Sequence, residues 1–538
     1  MKPNFRCLLL LTILIPSLFI CFSKSYSQMN ENFWAKLYGE DRSDVLHTFL
    51  ILPDGNVILA GWTNANINQN EDIILVRINE AGTILWQYSY FGDNLDYAQV
   101  ISPSLDNNII VGCHTRSFGA GSSDILLLKV DTDGNIIWQK TYGTYDDNAI
   151  ASVIPTSDGG FLVGGWSYLG GGRSHDATVF KTDADGNVIW AKHYGTKNYE
   201  GIKDMIQTSD GNFIFLGVAY SEESNDDIWL VKIDPEGNII WQKSFGGLEN
   251  ENPSSILRHN GLYYIFATTN SFSDNASRDF MVMVVDENGD LQWALYYPDD
   301  YETTVINANI FKENKFLITG SAIPKSKWNS DMLISIIDEN GQFEKGMLFG
   351  GNESELGHCI RQFQDNWILA GGYSYSFSNG NSDIILLRTD ETLNLPDGEL
   401  KTMDYELSVE PQPINLITVV TNATIDTTSL TVTDANLNKA EMNLVMRNLN
   451  VISSADFVQK ESFLQLFLNP NDNLTIKFNN SLNQSVTLVI KNILGEDVER
   501  ISIEPNVSQI SIPTRKLGNG FYAIYIEELS LFVPFILY

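Results

Sequence analysis

Apolar residues along the chain fall in short runs bounded by Gly, Asn and Asp, and no stretch holds a helical period. The runs are rich in Val, Ile, Leu and aromatic residues, which suits pleated strands. Tight turns separate them, as at Ser157-Asp158-Gly159-Gly160 and at residues 183–187, where glycine supplies the positive φ that a hairpin needs. Some runs, such as Ile73-Ile74-Leu75-Val76, are apolar at every position, as a strand covered on both faces must be. The chain is therefore predicted to be all-β.

The pattern repeats. An aromatic residue after a Gly-containing turn recurs at Trp34, Trp86, Trp138, Trp190, Trp241, Trp293 and Phe343, in steps of 52, 52, 52, 51, 52 and 50. An Asp opening an apolar run recurs at Asp72, Asp124, Asp176, Asp227, Asp279, Asp331 and Asp383, in steps of 52, 52, 51, 52, 52 and 52. One unit, residues 148–199, reads as four strands near 149–155, 161–167, 176–182 and 188–194. Four antiparallel strands at this period predict a β-propeller. The first fourth strand, residues 33–38, precedes every other strand, and the last unit ends near residue 390 without one, broken by Asn394-Leu395-Pro396. The expectation is a seven-bladed ring over residues 28–396, closed by pairing of the N-terminal strand with residues 383–389. Such closure removes exposed sheet edges.

Beyond Pro396 the repeat stops. Residues 397–457 are rich in Thr, Asn and Val and read as a connecting extended or small β segment. Residues 458–538 carry strand-like runs separated by turns, expected to form a small β-sandwich. Three elements follow in order: Phe467-Leu468-Asn469-Pro470 before an apolar strand, Asn492-Ile493-Leu494-Gly495, and Leu517-Gly518-Asn519-Gly520-Phe521-Tyr522. This part resembles the C-terminal sorting domain of type IX secretion substrates from Bacteroidota-type bacteria. The resemblance assigns the sorting motif to Asn469, Pro470, Gly495, Gly520 and Tyr522. It implies the type IX machinery as partner and a secreted or outer-membrane surface location. The propeller repeats resemble the Trp-x-Lys-x-Tyr-Gly repeats of such exported proteins, most clearly at Trp138-Gln139-Lys140-Thr141-Tyr142-Gly143.

The N-terminus agrees with export. Lys2 and Arg6 precede an apolar stretch from Leu8 to Phe22, too short for an ordinary membrane helix, and Ser25-Tyr26-Ser27 supplies small residues for cleavage before Gln28. Residues 1–27 are expected to be a signal peptide, and no other apolar run is long enough to cross a bilayer. A net charge of −33, from 34 basic and 67 acidic residues, disfavours nucleic acid and anionic lipid as partners. Four cysteines in 538 residues make no disulfide scaffold, and Cys113 and Cys359 fall on different units as free thiols.

Propeller geometry puts the tight one–two and three–four turns on one face and the long two–three and four–one loops on the other, where binding residues concentrate. Trp62, Trp166 and Tyr373 follow strand-two glycines near this long-loop face, where other blades carry Cys113, Val218, Thr268 or Ser321. With Trp328 in a long loop, they are the candidate platform for a sugar ring or an aromatic side chain. The seven aligned Asp residues admit two readings. One is a ring of ligands for a divalent cation, with calcium the candidate. The other, favoured because every unit repeats it, is a loop-to-strand junction whose carboxylate accepts backbone N–H groups. No Gly-x-Ser-x-Gly, phosphate loop, His-Glu-x-x-His or Cys-x-x-Cys occurs, and the six histidines show no ligand-like spacing. The expected function is that of a non-enzymatic secreted or surface propeller binding a glycan or protein ligand. The alternatives are an extracellular polysaccharide-degrading enzyme with carboxylates from several blades at the channel, and a structural surface component.

Overall fold

The computed structural model describes residues 33–395 apart from Glu40 and short loop pieces (65–69, 169–174, 222–224, 273–276, 325–327, 365 and 379–380), and strands between 400 and 453 and between 464 and 537. The expected export signal lies outside these residues. Seven antiparallel sheets each hold four blade strands, in six of them consecutive along the chain. We number the blades from Asp44, so that blades 1 to 7 open near residues 44, 96, 148, 200, 251, 301 and 355. The first strand of every blade packs against the first strand of the next, around a complete ring.

Blade 7 is built from both ends of the propeller segment. Glu355–Phe363, Trp367–Ser374 and Asp383–Thr389 supply three strands, and Trp34–Gly39 supplies the fourth. Trp34 lies opposite Arg388 and Tyr38 opposite Ile384, as the strand count predicted. Backbone bonds link the blades across this seam as elsewhere: the Asp44 N–H donates to the Ser382 carbonyl at 2.7 Å, and the Asn148 N–H to that of Ser123 at 2.8 Å. The all-apolar third strands are covered on both faces, and Ile73, Ile74, Leu75 and Val76 are fully buried.

The Trp-x-Lys-x-Tyr repeat is a clamp. These three residues sit two apart on strand four, so their side chains share one face. All three reach the three–four turn of the next blade. Trp138 Nε1 donates to the Ala184 carbonyl at 3.2 Å, Lys140 Nζ to Asn187 Oδ1 at 2.8 Å, and the Tyr142 hydroxyl to the Gly186 carbonyl at 2.6 Å. Tyr38, Tyr90, Tyr194 and Tyr297 make the same bond to Gly82, Gly134, Gly237 and Gly341. Since Tyr38 belongs to the N-terminal strand and Gly82 to blade 1, the clamp also spans the seam.

The stretch after the ring, read from sequence as a connector, lays strands on the ring itself. Leu400–Asp404 pairs with the fourth strand of blade 6, and Gln412–Pro413, Ile417–Val419, Thr424–Thr427, Thr431–Asp434, Asn438–Glu441 and Val445–Leu449 take blades 5, 4, 3, 2, 1 and 7 in turn. Val451–Ser453 then returns to blade 6, parallel to Leu400–Asp404. From blade 4 onward, equivalent positions are seven residues apart: Thr418, Ile425, Val432, Lys439 and Met446 face Phe245, Tyr194, Tyr142, Tyr90 and Tyr38. Seven residues can span at most about 23 Å, which bounds the blade-to-blade step at the rim. The C-terminal part forms a three-stranded sheet (Leu464–Asn469, Asn473–Phe478, Gln509–Pro513) and a four-stranded sheet ordered Asp497–Ile503, Val486–Asn492, Gly520–Ile526, Leu531–Leu537.

Candidate functional site

Every first strand carries a β-bulge at the same place. The extra residues are His47, Gln99, Ala151, Lys203, Ser254, Ile306 and His358. A bulge re-aims a side chain, and here it does so at the centre of the ring, where first strands meet. The residue after the bulge fastens the next blade. Asp204 Oδ2 accepts the Ile256 N–H at 3.1 Å, Ser255 Oγ that of Ala308 at 3.0 Å, and Asn307 Oδ1 that of Ile360 at 3.2 Å.

Blades 7, 1 and 2 build an aromatic cluster from these positions. The His47 and His358 rings stack at 5.3 Å, Tyr97 stacks on His114 at 4.6 Å and meets His47 edge-on at 5.8 Å, and Tyr373 meets His358 at 5.2 Å. His47 Nδ1 donates to the Ala98 carbonyl at 2.8 Å, which leaves Nε2 as its acceptor. Burial pulls the His47 imidazole below its ordinary range, His114 down to about 4 and His358 down to about 3. All three rings are neutral at pH 7.

Beside this cluster, on the long-loop face between blades 1 and 2, lies a cavity of ≈ 370 Å³. Its wall combines Trp62, Tyr97, His47 and His114 with Glu71 and Arg116. Burial raises the Glu71 carboxyl and the Arg116 charge partly offsets that rise. The cavity thus offers aromatic faces, neutral imidazoles, one acceptor carboxylate and one guanidinium donor.

The four aromatic candidates occupy three places. Trp62 lines the cavity and Tyr373 joins the adjoining histidine stack. Trp166 packs edge-on against His175 at 4.4 Å, and His175 in turn meets Tyr199 at 5.4 Å. Trp328 is 96% exposed. One alignment is corrected by the register. Trp62 pairs with Val45 and His114 with Tyr97, so the blade-2 equivalent of Trp62 is His114, whereas Cys113 takes the place of Gly61. Histidine spacing in sequence hid the cluster because its members come from two different strand positions on three blades. The missed signal was the repeat period: His47 and His358 share one register, and Trp62 and His114 another.

The aligned aspartates are all buried at the start of strand three. Asp124 shows their setting: its Oδ2 accepts the Gly121 N–H at 3.0 Å, and Asn148 Nδ2 of the next blade reaches Oδ1 at 3.5 Å. Among the described residues, no three His, Cys, Asp or Glu side chains gather as metal ligands. A second aligned set went unread in the sequence: Asp44, Asp96, Asn148, Glu200, Glu251, Thr303 and Glu355 open the first strands, all buried. Glu355 accepts the Gly351 N–H at 2.8 Å and the Ser374 hydroxyl at 2.7 Å, tying the four–one loop to strand two. Burial raises the carboxyls of Asp96, Glu200, Glu251 and Glu355. Among the described residues, the thiols of Cys113 and Cys359 are free and buried.

Residues 465–532 match the family described as the secretion system C-terminal sorting domain. The chain carries a secretion-system sorting domain. With it, the protein is handled as type IX secretion cargo and is secreted or held at the outer-membrane surface. Of the sorting residues, Asn469 ends one strand, Gly520 and Tyr522 lie in another, and Pro470 and Gly495 fall outside the described residues. Residues 52–84 and 364–394 match the domain of unknown function (DUF5122) beta-propeller family, in blades 1 and 7. No curated protein matches the chain. Among solved structures, the chain is similar to a protein of unknown function from Dyadobacter fermentans (12% identity, 54% of this chain and 93% of that one, TM-score 0.37). It is also similar to Sqt1 from Chaetomium thermophilum (9% identity, 66% and 98%, TM-score 0.40) and to a Synechocystis apocarotenoid oxygenase mutant (11% identity, 73% and 93%, TM-score 0.38). Likenesses this weak say nothing about what this chain binds.

Proposed function

We propose that this sorted propeller is a non-enzymatic binding protein whose ligand enters the cavity between blades 1 and 2 on the long-loop face. The observation that carries the reading is the wall of that cavity. Trp62 and Tyr97 offer ring faces, Glu71 and Arg116 offer an acceptor and a donor, and the histidines beside them are uncharged. Opposed charges with aromatic surface fit a neutral, hydroxyl-rich ring, such as the end of a glycan, better than an ion. The cavity volume of ≈ 370 Å³ lies within the range of small-ligand sites.

A glycan array on the purified full chain, followed by titration monitored by tryptophan fluorescence, tests this reading. Trp62→Ala and Arg116→Gln should each weaken binding of a captured glycan by at least about tenfold, the loss of about 1.4 kcal/mol. Absence of any glycan signal, or binding indifferent to both substitutions, overturns it.

An enzymatic reading has one observation in its favour. Asp204 lies in the channel wall and burial lifts its carboxyl to about 6, the range of a general acid. Against that, its oxygens already take the N–H groups of Met205 and Ile256. Polysaccharide hydrolysis by the full chain that is lost in Asp204→Asn would favour the enzyme.

A further inference from the structure

We propose that residues 400–453 are a closing latch: the outer edges of the seven blades are a strand-accepting surface, and this segment of the same chain is its occupant, laid down last to hold the N-terminal strand in the ring. Four observations carry it.

First, the order of assembly is constrained. Each latch strand from Leu400–Asp404 to Val445–Leu449 pairs with the fourth strand of a blade, so it has no partner until that strand is in place. On blade 7 the fourth strand is Trp34–Gly39, which itself needs Asp383–Thr389 to pair with. The last latch strands can form only after the ring has closed.

Second, the latch converts the weakest strand into an interior one. Trp34–Gly39 reaches blade 7 without a hairpin connection to its neighbour, so it is the fourth strand that local chain connectivity does not return to its place. It is paired on the inside with Asp383–Thr389 and on the outside with Val445–Leu449, where Ala35 faces Leu449 and Gly39 faces Val445. Leaving the ring then requires breaking two ladders instead of one.

Third, the latch completes a circuit and overlaps itself. Leu400 pairs with Val451 and Thr402 with Ser453, so the end of the segment lies beside its own beginning on blade 6.

Fourth, side chains seat it. The buried Tyr405 hydroxyl donates to Asp299, its N–H donates to the Gly346 carbonyl at 3.1 Å, and a Cβ on Gly346 would stand 2.5 Å from Tyr405 Cδ1. Ala435 is buried against blade 2, and Lys439 Nζ sits 3.6 Å from the Tyr88 ring centroid on blade 1.

The step length supplies the test. Deleting residues 442–444 shortens the step from Lys439 to Met446 from seven residues to four, a reach of at most about 13 Å in place of about 23 Å. The latch can then no longer serve blades 1 and 7 together. Hydrogen exchange followed by mass spectrometry on the full chain should show the amides of residues 35–38 exchanging at least about tenfold faster in the deletion variant, with those of residues 228–231 in blade 4 unchanged. Unchanged exchange at 35–38 overturns the latch. Should the variant fail to fold, exchange of the unaltered chain in rising denaturant decides. Opening of residues 445–449 before or together with residues 34–39 supports the proposal, and opening of 34–39 while 445–449 stays protected overturns it.

Discussion

A histidine held neutral inside the ring contributes to acid sensitivity, and the sign follows from the direction of its shift. His358 and His114 are pulled to about 3 and about 4, below the ordinary value of 6.5. Their share of stability is full above pH 6.5 and is lost as pH falls towards 4, because the unfolded chain takes up the protons first. Asp204, raised to about 6 from 3.8, acts oppositely, with its share present below about pH 4 and lost as pH rises to about 6. Between pH 6.5 and pH 4 the histidine contribution therefore declines, while the raised carboxyls of Asp204, Asp96, Glu200, Glu251 and Glu355 contribute in the opposite sense. Urea unfolding at several pH values should show His358→Gln flattening that decline by up to about 1.4 kcal/mol per pH unit. An unchanged slope would mean that His358 is not buried neutral. At the same scale, Tyr142→Phe leaves the Gly186 carbonyl without its donor and should cost about 1–3 kcal/mol by denaturant unfolding. Residue types were legible here and partners were not. The Trp138, Lys140 and Tyr142 pattern stands out in the sequence, but nothing local says that all three grip a turn some 44 to 47 residues further on.

Two kinds of glycine separate strand from turn. Gly165 has room for neither a methyl nor a shift, since a Cβ there would lie 1.8 Å from the Ala149 carbonyl oxygen on the bulged first strand. Gly211 has nothing within 4 Å but holds φ at +83° in a hairpin turn. Gly165→Ala should therefore destabilise by more than about 2 kcal/mol, as forced overpacking does. Gly211→Ala should cost only about 1–2 kcal/mol, the strain of a left-handed residue. Equal losses in urea melts would contradict this division. The aligned aspartates belong to the same scale. If each closes its own loop on backbone N–H groups, as Asp124 does with Gly121, added calcium should leave the melting temperature of the full chain unchanged. A calcium-dependent rise would restore the cation reading. The turn glycines could be read from Asp-Gly and Asn-Gly pairs, because a hairpin's demand on φ is local. A strand glycine such as Gly165 makes sense only against the bulge of another strand.

For the molecule as a whole, the strongest test is its seam. Removing residues 28–39 takes away both the fourth strand of blade 7 and the Tyr38 clamp on Gly82, and should abolish the single cooperative melt; an unaltered melt would require another closure. That the ring has seven blades, and that its first strand completes its last blade, was readable from the spacing of tryptophans and aspartates alone. Each blade needs the same turns and the same apolar third strand, and five of the seven share the tyrosine clamp, so the same letters return at one period. The sorting domain was readable from a family resemblance, its three motif elements following in order along the sequence. Residues 400–453 escaped such reading. A strand held by backbone bonds along the rim makes little demand on side-chain type, so its seven-residue step leaves almost no mark in the letters. The cavity escaped too, because Trp62, Tyr97, His114 and Arg116 meet across two blades whose common wall exists only once the two sheets have packed. Periodic local need is written along a chain; encounters between distant segments are decided when the sheets pack.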